Sequence, residues 1–200
     1  FLSTAIKRDS VVARAKTIGY TPRSARAAKS TISVTATVPS NKFMAVIPKG
    51  TTFTAKADDE QYVFRTVEAY KVFRDQGYST DIDVYEVKPF THKFTMTSQI
   101  QTDGFVIPDT NVDTRFISVR YSPDFSSDKV ELQKNTSVMT VGPESLVFFV
   151  EESTAERHKI RFGDGVIGYQ PPVGYHIEVN YYKTTIRLQE ASRILYQHSH

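Results

Sequence analysis

The side chains able to do chemistry in this chain are few and scattered. His92, His158 and His176 stand singly among segments that read as strands. His198 and His200 share a ligand-like spacing, but at the extreme C-terminal end, where a tag residue is as good a reading as a metal ligand. Adjacent carboxylates occur at Asp58-Asp59-Glu60, at Asp81 and Asp83, and at Glu151-Glu152. The first group falls in a turn and the third just past an apolar run, where solvated charges are expected. Asp81 and Asp83 lie on one face of a strand, yet no third oxygen ligand stands near them in sequence. There is no Gly-x-Ser-x-Gly elbow, no phosphate-binding loop and no His-Glu-x-x-His helix. Catalytic, cofactor-binding and metal-binding residues are therefore all assigned as none, and no cofactor is expected.

The sharpest local signal is Phe162-Gly163-Asp164-Gly165, within Ile160–Gly174. It reads as the end of a strand followed by a Gly-Asp-Gly turn that needs positive φ. Pro171-Pro172-Val173-Gly174 then makes a second reversal into the strand His176–Tyr182. Such a turn could cradle an anion or a calcium ion. It brings a single carboxylate, against the six to eight oxygens that calcium takes, so the hairpin reading is preferred.

Positioning these residues falls to a sheet-rich body. Phe and Tyr supply all of the aromatic content, 13 and 11 residues with no Trp, and such rings suit a pleated, half-buried surface. Period-two alternation begins at Ile32, Val34, Ala36 and Val38, and short strands recur at Phe43–Ile47, Tyr62–Phe64, Val67–Tyr70, Asp81–Val87, Phe90–Met96, Phe105–Ile107, Phe116–Tyr121, Leu146–Val150 and Lys159–Phe162. Pro48-Lys49-Gly50 reads as a tight reversal. The polar stretch Ser122–Lys134 is expected to be a loop between two sub-sheets. Residues 1–18 read instead as a helix with an apolar stripe through Leu2, Ile6 and Ala13, ended by Gly19 and Pro22. Residues 186–197 return to helical spacing. The expected organisation is a helix and basic linker over 1–30, an antiparallel β-rich core over 31–185, and a helical tail over 186–200. The fold class is thus mainly β (α+β).

The formal charge of +3 is local. Lys7, Arg8, Arg14, Lys16, Arg23, Arg26 and Lys29 face only Asp9 in the first thirty residues, and the remainder is close to neutral. A solvated helix face followed by a basic linker accounts for this without a nucleic-acid partner. The chain has no cysteine, which excludes disulfides and thiolate zinc sites and fits a reducing compartment. No apolar run approaches the roughly 18 residues of a membrane span, so neither nucleic acid nor membrane is expected as a partner. The start at Phe1 lacks an initiator Met and does not read as a signal peptide, so the chain is expected to be part of something longer.

Three segments together resemble the baseplate-J-like family, the ring-forming wedge subunits of contractile-tailed bacteriophages. Asp9–Ala25, with Gly19-Tyr20-Thr21-Pro22, is similar to that family's helix and "GY.P" break. Ile47-Pro48-Lys49-Gly50-Thr51-Thr52-Phe53 matches an "IP.GT.F" element. Phe162-Gly163-Asp164-Gly165 and its continuation through Thr185 match "FGDG…G…P..G..I.V.Y..T". The resemblance implies a structural role and no catalytic residues. It implies partners of two kinds: copies of the chain itself, as a homodimer within a wedge and a ring in the baseplate, and other wedge subunits with the tail tube and hub. It also implies a place in the virion tail baseplate, assembled in the host cytoplasm. Leu2, Ile6 and Ala13 are the candidate interface helix. The chain departs from the pattern after Thr185. The rival readings are a receptor- or carbohydrate-binding β-module, which needs several exposed rings on one face, and a hydrolytic tail enzyme, which needs a convergent acid–base pair.

Overall fold

A computed structural model describes residues 24–37, 41–57, 60–74, 77–124, 128–136, 141–153 and 156–184. The helices expected over 1–18 and 186–197 lie outside these residues, as do Leu2, Ile6 and Ala13. What is described is mainly β, with antiparallel sheets, and the stretch 31–185 contains two compact units.

The first unit comprises residues 26–88 with 184. Strands β1 (Lys29–Thr35), β6 (Ser79–Glu86), β4 (Glu60–Arg65) and β3 (Thr52–Ala57) form an antiparallel sheet in the order β1-β6-β4-β3. Ile32 stands opposite Ile82, so the apolar alternation of β1 meets the most buried residues of β6. A ribbon of β2 (Met44–Ile47) and β5 (Tyr70–Phe73) completes the unit. The reversal expected at Pro48-Lys49-Gly50 is present, with Gly50 at φ 88°. Thr51 donates to the Pro48 carbonyl through its amide (3.3 Å) and its hydroxyl (2.7 Å), and the fully buried Thr66 hydroxyl donates to the same oxygen at 2.8 Å. Val67 and Glu68, read as the start of a strand, form a bend instead, because Thr66 is held at this turn and β5 begins only at Tyr70.

The second unit comprises residues 89–183 with 24–25. Its seven strands run in the order β7-β13-β9-β10-β11-β12-β8, that is Lys88–Thr95, His176–Lys183, Ser118–Ser122, Val130–Lys134, Val147–Glu152, His158–Phe162 and Phe105–Val106. Inward residues Val119, Phe148, Ile160, Ile177 and Val179 fill one core. The sheet curls until its two edge strands meet through side chains: Phe94 of β7 stacks on Phe105 of β8 at 4.2 Å, with His92 5.0 Å from the same ring. A short helix, α1 (Ser98–Asp103), links those edges and is capped by the Thr97 hydroxyl, which accepts the Ile100 N–H at 3.2 Å.

The segment Ser122–Lys134 is not a loop between sub-sheets. Its second half is β10, which pairs with β9 over Val130–Leu132 in the same sheet. Its polar composition misleads because Leu132 alone in this strand is buried. Beyond it comes the one parallel pairing among the described strands, where β10 meets β11 at Gln133↔Val147 and Lys134↔Phe148.

Candidate functional site

The Phe162–Gly165 motif leaves β12 with Phe162 in the core. A Cβ on Gly163 would lie 2.2 Å from the backbone C and O of Gly168, so the two ends of the turn are in backbone contact. Positive φ is needed at Gly165 (84°) and Gly168 (86°), but not at Gly163, whose requirement is space. The Asp164 carboxylate oxygen Oδ1 accepts the amides of Val166 at 2.9 Å and Ile167 at 2.8 Å, and these bonds, Ile167 first, hold its carboxyl below the usual range. Gly165 N–H then donates to Gly168 O at 3.1 Å, and Gly168 N–H to Gly142 O at 3.1 Å. Tyr169 N–H reaches Ser145 O at 2.8 Å, so the turn is zipped onto the segment that leads into β11.

One oxygen of Asp164 thus closes the turn on its own amides and holds an apolar tip outward, with Val166 72% exposed. Replacing Asp164 by Ala is expected to lower the melting temperature by a few degrees, whereas Asn, whose side-chain oxygen can accept the same two amides, keeps most of it. Thermal melts of both variants check this, and equal losses for Ala and Asn count against the hydrogen-bonding role. The second reversal is tied to the end of β7: Gly174 N–H donates to Met96 O at 2.9 Å and Met96 N–H to Tyr175 O at 2.7 Å. Tyr121 stacks on Tyr169 at 5.3 Å beneath these turns, and burial with the neighbouring Tyr169 pushes its phenol up to about 12.

The other candidates separate. Asp83 takes Lys29 Nζ at 2.8 Å and the Thr31 hydroxyl at 2.9 Å, contacts that hold its carboxyl below the usual range. Its partner in the pair, Asp81, is exposed. Asp58 and Asp59 lie outside the described residues, as do His198 and His200. Glu151 lies 3.9 Å from Arg161 across the β11–β12 ladder. His92 packs on rings, and His176 Nδ1 is 3.2 Å from the Thr95 hydroxyl. Among the described residues no three His, Cys, Asp or Glu side chains converge as metal ligands.

Three charge centres were not singled out by sequence. Glu178, on the outward face of β13, stands opposite Arg120 and receives Lys129 Nζ at 2.6 Å, Asn180 Nδ2 at 3.1 Å, Arg120 Nη2 at 3.3 Å and Lys93 Nζ at 3.6 Å. The Lys129 bond, outweighing burial, pulls its carboxyl down to about 2. Asp109 accepts the Tyr181 hydroxyl and Lys183 Nζ, both at 2.6 Å. Burial would raise its carboxyl, but these two donors win and the net shift is downward, while burial and Asp109 push the Tyr181 phenol up. Asp113, fully buried, takes Arg115 through Nε at 2.9 Å and Nη2 at 2.6 Å. A lone acidic residue between inward-facing Ile177, Val179 and Tyr181 was the only available hint for Glu178. Its cations come from three other segments. Glu178 cross-links neighbouring strands, Asp109 ties the segment after β8 to β13, and Asp113 with Arg115 is a local pair at the short turn Thr114–Phe116.

No protein-family model matches the chain, and no curated protein matches it.

Proposed function

We propose that this chain is a structural subunit of the baseplate wedge of a contractile phage tail, not an enzyme. In this reading it self-associates, binds neighbouring wedge proteins in the ring around the tail tube, and helps trigger sheath contraction. It does this in the virion, after assembly in the host cytoplasm. The helix read over residues 1–18, with Leu2, Ile6 and Ala13, would supply one of the interfaces.

The reading rests on three motifs in the family's order, and one observation carries it. The Phe162–Gly165 motif uses Gly163 for backbone contact and Asp164 for the turn's own amides. Its residues specify a shape and leave an apolar tip, Val166 and Ile167, available for contact. That is how a motif serves a scaffold. A catalytic or ion-binding motif would leave its carboxylate poised for another group. The carbohydrate-binding alternative needs exposed rings, and among the described residues Phe43 is the sole ring counted with the large exposed apolar side chains. Tyr121, Tyr169 and Tyr175 are instead spent on one another. Cryo-electron microscopy of the intact particle that carries this chain tests the proposal. Density for residues 26–183 in the ring around the tail tube supports it, and density at a fibre tip or absence from the particle overturns it.

A further inference from the structure

The seven-stranded sheet consists of two antiparallel leaves, β7-β13-β9-β10 and β11-β12-β8, that meet along two lines. The two lines differ in how they are held.

On the β7–β8 side, where the ladder does not close, side chains and the helix do the joining. Phe94 stacks on Phe105 at 4.2 Å. Gln101 of α1 donates to Pro171 O at 2.8 Å, just before β13. A Cβ on Gly104 would lie 2.6 Å from Ile160 O, so the end of α1 rests on β12. Asp109, on the chain leaving β8, is clamped by Tyr181 and Lys183 of β13.

On the β10–β11 side the strand pairing is short, although Leu132 and Phe148 share the one core. Two register pairs join the strands, as few as between β12 and β8, where α1 backs the pairing, against five between β11 and β12 and five between β13 and β9. Gln133 N–H donates to Leu146 O at 2.7 Å and Asn135 N–H to Phe148 O at 2.9 Å. The side-chain anchors of β10 point back to its own leaf. Leu132 stands opposite Val119 of β9, and Lys134 Nζ donates to Thr114 O at 2.6 Å. Two hollows open to solvent flank the line. One hollow of about 410 Å³ is lined by Ile117, Leu132, Lys134 and Phe148. Another, of about 670 Å³, opens where Lys134–Thr136 part from Phe149–Glu151. A boundary with few ladder bonds and a solvent-open hollow on each side has less strand pairing to break than the long ladders of the sheet.

We propose that the barrel of residues 89–183 has a built-in opening line between β10 and β11: the two leaves part there as a unit while the β7–α1–β8 side stays closed. This stands independently of the baseplate reading. Opening would uncover Phe148 and Leu132 and leave both strands with unpaired edges.

Native-state hydrogen exchange on the whole chain, resolved by residue, is the test. The amides of Gln133 and Asn135 are expected to share one protection factor, at least about tenfold below those of Met96 and Ile107, which bond to Tyr175 O and His158 O on the closed side. A graded loss toward Asn135 would mean fraying of a strand end and would overturn the proposal, as would equal protection on both sides. The double variant Gln133→Cys/Val147→Cys gives a second reading on one polypeptide. Oxidation should raise Asn135 protection by about tenfold over the reduced form while leaving Ile107 unchanged, because it closes the only line that opens. No difference between oxidised and reduced protein sinks the idea. Should that variant not fold, the wild-type comparison decides alone.

Discussion

Gly163→Ala is expected to destabilise the barrel by about 3 kcal/mol, far more than the same change two residues on at Gly165. The added methyl at 163 would lie 2.2 Å from the carbonyl carbon and oxygen of Gly168, which are backbone atoms that no rotamer change can move aside. Gly168 cannot retreat easily either. Its N–H is bonded to Gly142 O, and a Cβ at its own position would already meet Val147 Cγ2 at 2.9 Å. At Gly165 nothing lies within 4 Å of a Cβ, and the cost there is only that of a left-handed residue, about 1 kcal/mol. Urea titration of both variants, read as a shift in the barrel's midpoint at constant slope, separates the two effects. Similar small shifts for both would mean that the turn opens without cost and that Gly163 is not its keystone. In the baseplate reading the same variant would also misplace Val166 and Ile167, so assembly should fail before folding does.

Glu178→Gln is expected to cost about 2 kcal/mol at neutral pH and to remove a distinct acid transition. In the native protein the carboxyl sits at about 2, whereas an unfolded Glu titrates at about 4.3. The folded state therefore binds a proton less readily than the unfolded one. The stability this confers is fully present above the unfolded value and is lost as pH falls from about 4.3 through about 2. The variant lacks the titrating group and should show a flatter stability profile across that window. Its cost at neutral pH is moderated because Lys93 and Arg120 are about half exposed and can turn to water, while Lys129, the shortest contact, is left partly desolvated. Denaturant midpoints at pH 7, 4 and 2.5 check both parts. A wild type and variant that fall in parallel below pH 4 would show that Glu178 is not the group responsible.

Both predictions depend on a sheet whose strands were largely legible in the sequence. Alternation is a local property, and it located β1 and β6, whose Ile32, Ile82 and Val84 recur at every second residue on one face, while short apolar runs between turn residues located β2 and β4. Turn chemistry is local too. Gly50, Gly165 and Gly174 take positive φ where a reversal was expected, because a residue without a Cβ adopts the left-handed region without steric cost. β10 escaped this reasoning. With Leu132 its only buried residue it has no alternation to read, and it is a strand because β9 and β11 offer it backbone partners. Helix α1 was missed for a related reason: it has six residues, none buried, and is held by its Thr97 cap.

The Gly-Asp-Gly turn was visible from residue types alone, since two glycines flanking an aspartate at the end of an alternating strand can hardly be anything else. Only the tertiary structure decided what each residue is for. Gly165 answers to its own backbone, Gly163 answers to Gly168, and Asp164 closes the turn. The same division runs through the charges. Sequence placed Glu178 on the outward side of a strand, and the approach of Lys93, Arg120 and Lys129 from neighbouring segments made it a buried cross-link. Conformational preference is encoded residue by residue. Space and electrostatic environment are set by segments dozens of positions away, and they exist only once the sheet has closed.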